Sequence, residues 1–276
     1  MTEILTLLDD RHTGRKDLIA EHGLSMYVCR DGKQILFDCG SSGAFLRNAE
    51  KLGIDLKTLD AVVLSHSHYD HAAGFPNLIR QGGRPGCLYT GPGFFEPKYA
   101  RRGDIYADLS AAVDRKFLED NDVVQKGVYG LREIFPGTYL LSGFPRTESM
   151  ETIPERFCRR TGAGLQRDDF RDEVCLALDT AEGLVLLVGC SHPGIVNMVR
   201  HVRRTLNRPV RAVFGGTHLV EADPERVTRT VEALKGMGVR QLGLSHCSGE
   251  GTIQLLTQDP EINACSLGPG DWVFFM

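Results

Sequence analysis

No stretch of this chain is apolar for long enough to cross a membrane, and no basic arm is present. The formal net charge is −4 over 276 residues, which gives no global attraction to nucleic acid or to an anionic membrane surface. A small-molecule substrate is therefore expected, with no nucleic-acid partner and no membrane association. Met1-Thr2-Glu3-Ile4-Leu5-Thr6 lacks the basic segment and apolar run of an export signal. Eight cysteines, at 29, 39, 87, 158, 175, 190, 247 and 265, form no Cys-x-x-Cys pair. Scattered thiols fit a reduced, cytoplasmic protein better than a disulfide scaffold. Hydrophobic and charged fractions of 42% and 25% exclude disorder as the default and allow a substantial core. Nothing in the composition marks an oligomeric state.

What the chain does contain is a concentration of histidine. Ala61-Val62-Val63-Leu64 reads as a short buried strand and runs into Ser65-His66-Ser67-His68-Tyr69-Asp70-His71-Ala72-Ala73-Gly74. Residues two apart on an extended backbone face the same side, so His66 and His68 can grip one metal ion together. Asp70 and His71 follow where the chain turns. Imidazole with carboxylate suits zinc, iron or manganese, and an open coordination position on such an ion activates water. A lone histidine in a polar turn is ordinarily just solvated, but this run at the mouth of an apolar strand is not that case. His192, His218 and His246 also lie just beyond apolar strands, ending at Val188, Phe214 and Leu244. Strand-end loops gather at one edge of a sheet, so the four histidine loops can converge. His12, His22 and His201 are weaker candidates, His201 because it falls on a helix.

Taken in order, Ile4–Leu8, Ser25–Cys29 and Gln34–Asp38 read as opening strands, and Asp38 is placed to cap the next loop or helix. Phe45–Leu52 carries a helical pattern, Phe75–Gln81 reads as a short helix and Cys87–Thr90 as a strand. Regularity then degrades over 91–171. There Asp108–Leu118 has helical spacing, Val123-Val124 and Thr138–Leu141 read as short strands, and Pro145–Leu165 has no clear period. Such a stretch is usually functional. It is expected to be an irregular insertion forming the pocket wall of a single domain spanning 1–276, with Phe94, Phe95, Tyr99 and Arg146 touching substrate. Glu173–Leu178 and Leu184–Val188 read as a hairpin, followed by helices near 195–206 and 224–235, strands Val210–Phe214 and Val239–Leu244, and a last strand near Trp272–Phe275.

The run from His66 to Gly74 resembles the metal-binding motif of the metallo-β-lactamase superfamily. Glu21-His22-Gly23-Leu24-Ser25, Leu36-Phe37-Asp38-Cys39-Gly40, Gly189-Cys190-Ser191-His192-Pro193-Gly194-Ile195-Val196-Asn197, Gly215-Gly216-Thr217-His218-Leu219 and Ser245-His246-Cys247-Ser248-Gly249 resemble one branch of it. That branch consists of metal-dependent hydrolases, some labelled dihydropterin-linked ribofuranosyl-aminobenzene-phosphate synthases. The resemblance implies an α/β (α+β) fold, a four-layer αββα sandwich with metal at one end of its sheets. It further implies that His66, His68 and His192 hold one metal and that Asp70, His71 and His246 hold a second. One or two divalent transition-metal ions are thus expected, zinc foremost, with iron or manganese as alternatives. Asp38 would support the metal loop from behind, Asp70 would orient the attacking water, and His218 would contact substrate or a ligand. The chain departs from the superfamily pattern at the bridging aspartate. Either Cys190 takes that place or no protein group bridges, and the usual burial of cysteine favours a thiol in the core. The function expected is a metal-dependent hydrolase acting on a phosphoester, lactone or thioester. The alternatives are an iron-dependent redox enzyme of the same fold and a metal-containing ligand-binding or sensor protein with little turnover.

Overall fold

Strands buried on both faces read as continuous apolar runs, and Ile35–Phe37 of the strand Lys33–Phe37, Ala61–Val63 and Gly183–Val188 are of this kind. The computed structural model, which describes residues 1–257 and 259–276, places all three inside large mixed sheets. In chain order the elements are β1 Thr2–Leu8, β2 Ser25–Arg30, β3 Lys33–Phe37, α1 Ala44–Lys51, β4 Ala61–Val63, α2 Tyr69–Ala72, α3 Phe75–Arg80 and β5 Leu88–Thr90. The middle of the chain supplies β6 Lys98–Arg102, β7 Ile105–Asp108, α4 Arg115–Asp120, β8 Gln125–Gly127, β9 Leu131–Phe135, β10 Thr138–Ser142, β11 Phe157–Thr161 and β12 Gly164–Arg167. The last part holds β13 Val174–Thr180, β14 Gly183–Val188, α5 Ile195–Leu206, β15 Val210–Gly215, α6 Pro224–Gly236, β16 Gln241–Leu244, α7 Glu250–Thr257, β17 Asn263–Ser266 and β18 Trp272–Phe275.

One seven-stranded sheet runs β18-β1-β2-β3-β4-β5-β8 and the other β17-β16-β15-β14-β13-β10-β9. Their facing sides share a core in which Ile35, Phe37 and Val63 meet Leu176, Val185, Leu187 and Phe214. Side chains alternate along a strand, so Leu36 and Val62 point the other way and pack under Phe45, Phe75 and Leu78 of α1 and α3. On the far side Leu184, Leu186 and Val188 are covered by Val196, Val199 and Val202 of α5 and by Val231 and Leu234 of α6. The layers are therefore helix, sheet, sheet, helix: the αββα sandwich. In each sheet the parallel strands, β3-β4-β5-β8 and β14-β15-β16-β17, send their C-terminal loops to one edge, where open α/β sheets place their ligands.

The stretch 91–171 is more regular than its sequence suggests. β6, β7, β11 and β12 build a third, four-stranded sheet, while β8 and the β9–β10 hairpin extend the two main sheets. The expected helix over 108–118 is confined to Arg115–Asp120, because Asp114 accepts the Phe117 N–H at 2.7 Å and starts the helix there. Val123-Val124 precedes β8 rather than forming it. Within Pro145–Leu165, β11 pairs with β6 far away in sequence, a partnership that local periodicity cannot show. Lys98 on β6, only 1% exposed, donates to Asp168 at 2.7 Å and Asp172 at 2.8 Å and so ties this sheet to the body of the protein.

Candidate metal centre

Beyond β4 the chain is shaped by Asp38, whose backbone sits in the left-handed region at φ 60°. Its carboxylate accepts the Ser65 N–H and hydroxyl, each at 2.7 Å, and lies 2.6 Å from His71 Nδ1, with His71 and Asp38 both fully buried. Because Asp38 can only accept, Nδ1 of His71 carries the proton and Nε2 presents its lone pair. Ser65 spends its hydroxyl proton on Asp38, so at 2.9 Å it accepts from His66 Nδ1, which leaves His66 Nε2 bare in the same way. Ser67 N and Oγ both donate to Asp172 at 2.9 Å, and Ser67 lies between His66 and His68. Asp38 thus holds one side of the loop and the Lys98–Asp172 pair the other.

The second half contributes through β14, β15 and β16. At Gly194 the φ of 102° and the approach of Glu151, whose Oε2 would lie 2.1 Å from an added Cβ, both require glycine. Glu151 then accepts the N–H groups of Val196 and Asn197 at the start of α5 and fixes the loop that carries His192.

These elements bring two groups of ligand atoms together. One nitrogen each from His66, His68 and His192 lie within 4.8 Å of one another, as do single atoms of Asp70, His71 and His246. In the first group burial holds His66 and His192 well below the usual histidine range and His68 down to about 3. All three are neutral at pH 7, as metal ligands must be. Nε2 of His66 and of His192 is buried with no hydrogen-bond partner, a state that native proteins rarely tolerate without a ligand or water. In the second group Asp70 Oδ2 lies 3.2 Å from His246 Nε2 and from His22 Nε2. Burial pushes the Asp70 carboxyl up, but the bonds from His22 and His246 hold it well below the carboxylate range. His246 is buried, which opposes its charge, yet Asp10 at 2.7 Å and Asp70 raise it well above its ordinary value. His22 is raised to about 9 by its bonds to Asp10 and then Asp70.

The side chains named from the sequence fall into two sets. His66, His68, Asp70, His71, His192 and His246 converge; Asp38 stands behind them; His218 sits with its ring 4.5 Å from that of His192, outside either ligand group. Phe94, Phe95, Tyr99 and Arg146, expected at the substrate, are elsewhere. Phe94 is in the core between the first sheet and its helices, and Phe95 packs at its margin under Arg115 at 4.5 Å. Tyr99 lies under Arg160 at 5.6 Å, and Arg146 reaches the Glu151 carbonyl at 3.3 Å. The aromatics at the histidines are instead Phe157, 5.5 Å from His68 and 5.4 Å from His192, and Phe170, stacked on His192 at 3.8 Å. Cys190 is buried, as expected of a thiol, but lies outside the apolar clusters of the core. β14 ends at Val188, but Gly216 N still donates to Gly189 O at 2.8 Å and Ser191 takes up the left-handed region at φ 58°. Cys190 Sγ is consequently buried but faces the site, 3.1 Å from His71 Nε2.

Asp10 was not anticipated here, and His22, a weaker candidate from the sequence, lies against Asp70. His22 had a signal, its place in Glu21-His22-Gly23; Asp10 looks like a solvated acid at a strand end until His22, Gly23 and His246 are seen to bond it.

Residues 19–138 match the family model described as the metallo-beta-lactamase superfamily. Over 264 residues the chain is 30% identical to a 7,8-dihydropterin-6-methyl-4-(beta-D-ribofuranosyl)-aminobenzene-5'-phosphate synthase of Methanocaldococcus jannaschii, covering 90% of this chain and 87% of that protein. A shorter similarity, 28% over 112 residues, links 38% of this chain to 36% of a ribonuclease Z of Bradyrhizobium diazoefficiens. Among solved structures, a metal-dependent hydrolase of the beta-lactamase superfamily superposes with a TM-score of 0.84 at 29% identity over 99% of each chain.

Proposed function

From the premise that this chain belongs to the metallo-β-lactamase superfamily of metal-dependent hydrolases, we propose that it hydrolyses a small ester-like substrate, a phosphoester before a lactone or thioester. The observation that carries this reading is the pair of buried ligand groups, His66, His68, His192 and Asp70, His71, His246, with bare Nε2 atoms on His66 and His192. Histidine nitrogens with a single carboxylate favour zinc, with iron or manganese as alternatives. The preference for a phosphoester draws on the aminobenzene-5'-phosphate in the name of the Methanocaldococcus relative.

A bound ion supplies Lewis acidity and, by lowering the pKa of water from about 15.7 to about 7, a hydroxide nucleophile at neutral pH. The chain's own groups do the rest. Asp70, kept ionised by His22 and His246, accepts a hydrogen bond from the attacking water and passes its proton toward the leaving group. His22, bonded to both Asp10 and Asp70, holds Asp70 in place. His218 donates to the oxygen that gains charge in the transition state. Phe157 and Phe170 cover the first histidine group and exclude water around it. Among the described residues no helix is long and apolar enough to cross a membrane.

The test combines elemental analysis of the purified protein with a panel of phosphodiester, lactone and thioester substrates, with His68→Ala as the control. Turnover that depends on metal and disappears in His68→Ala is expected. A metal-loaded protein that turns over none of the panel would favour a sensor role, and equal activity in His68→Ala would refute the reading.

A further inference from the structure

We propose that Cys190 is a metal ligand and that its thiolate bridges the two ligand groups; the proposal rests on the metal-dependent reading above and names the ligand that joins its two halves. Cys190 Sγ is 3% exposed and lies 3.1 Å from His71 Nε2. It forms a close group with His66 and His71 and another with His246 and Cys247. His66 belongs to the first ligand group, and His71 and His246 belong to the second. His66 and His71 themselves stand side by side at this junction, and outside the six assigned ligands no other side chain among the described residues is grouped with members of both. That is the position of a bridging ligand.

The surroundings hold the sulfur there. Gly216 N bonds Gly189 O on one side, while the next residue, Ser191, donates its hydroxyl to Gly216 O at 2.8 Å and its N–H to Glu173 at 3.1 Å. His71 Nδ1 keeps its proton and donates it in the hydrogen bond to Asp38, so the only proton between Sγ and His71 Nε2 is the thiol's own. On metal binding that proton leaves to solvent, and Sγ and Nε2 become donors together. Two divalent ions would otherwise face each other with Asp70 as the one carboxylate of the two groups, so a shared thiolate reduces their repulsion. Sulfur also restricts the metal to zinc, iron or another thiophilic ion rather than magnesium or calcium. Cys247 does not share this position. Its sulfur accepts the His218 N–H at 3.3 Å and is grouped with His246 and Cys190 but with neither His66 nor His71.

Cobalt(II) provides the readout, because sulfur-to-cobalt charge transfer gives a strong near-ultraviolet band that imidazole and carboxylate do not. Metal-free wild type, Cys190→Ser, Cys190→Ala and Cys247→Ser are titrated with cobalt(II), and visible d–d bands report bound metal independently. Wild type should show a charge-transfer band that grows through two equivalents. Both Cys190 variants should keep d–d bands at one equivalent or more and lose the charge-transfer band, while Cys247→Ser keeps it. The alanine variant covers the case in which serine disturbs folding. A charge-transfer band that persists without Cys190, one that saturates at a single equivalent, or its absence from cobalt-loaded wild type overturns the bridge. So does a Cys190 variant that folds but binds no cobalt, because the His66, His68, His192 group needs no sulfur. Wild type that binds no cobalt at all overturns the metal-dependent reading itself.

Discussion

Replacing Lys98 with methionine removes the one cation between two buried carboxylates. Lys98 Nζ donates to Asp168 Oδ2 at 2.7 Å and to Asp172 Oδ1 at 2.8 Å, and all three side chains are almost wholly buried. Burial alone would lower the ammonium's pKa, but Asp172 and Asp168 outweigh it and keep Lys98 charged. Methionine fills the same space without charge and leaves two acids facing each other. Removing one partner from a buried ion pair costs about 3–5 kcal/mol. The lower half of that range is unsuitable, since two acids rather than one lose their partner, and about 4 kcal/mol is expected. With an unfolding entropy of about 2.1 cal/mol/K per residue, 276 residues give about 0.6 kcal/mol/K, so Tm should fall by about 7 °C at pH 7. The loss should shrink toward pH 5, as one acid takes up a proton and the repulsion is relieved. Asp172 also holds both donors of Ser67 between His66 and His68, so the first ligand group should bind metal less tightly as well. Calorimetry at the two pH values and competitive zinc titration read these effects. A Tm change below about 2 °C at pH 7, or a loss that grows toward pH 5, would refute the reasoning.

Glu151 gives a pH signature: burial pushes its carboxyl up from 4.5 to about 7 despite the N–H groups it accepts at the start of α5. A raised folded pKa means that its stabilising contribution is complete below about pH 4.5 and is lost as the pH rises through about 7, in all about 3 kcal/mol. Urea denaturation of wild type and of Glu151→Gln, which cannot ionise, should show wild type losing about that much relative to the variant between pH 4.5 and pH 8; a constant difference contradicts it. Phe94→Ala should cost about 3–5 kcal/mol of stability with KM unchanged, because Phe94 is in the core. Phe157→Ala should leave metal content intact and raise KM about two- to tenfold, the equivalent of about 0.5–1.5 kcal/mol for an aromatic contact. The opposite pattern in these two variants would restore Phe94 to the pocket.

The sandwich and its edge were legible wherever a strand and its ligand loop are contiguous in sequence. Ala61 to His71 carries the strand, the turn and four ligand candidates in one run, and Leu184 to His192 repeats the arrangement with two, Cys190 and His192. What stayed hidden depends on contacts between distant segments. Lys98 is an ordinary lysine until Asp168 and Asp172 are brought to it, and Phe157 reaches His68 and His192 only because β11 pairs with β6. Phe94 and Phe95 drew attention as aromatics beside basic residues, yet an aromatic pair between glycines and prolines serves a core equally well. The path of the chain at Cys190 is held by a hydrogen bond from Gly216, just past the end of the neighbouring strand β15, which no reading of Gly189-Cys190-Ser191 alone supplies.

The central claim is that two groups of side chains at the sheet edge bind metal. Elemental analysis of wild type and of His66→Ala/His68→Ala, both purified and dialysed in parallel, tests it most directly. Wild type should retain between one and two transition-metal ions per chain, zinc foremost, and the double variant should lose most of them. A double variant that keeps as much metal as wild type would contradict the assignment of this centre.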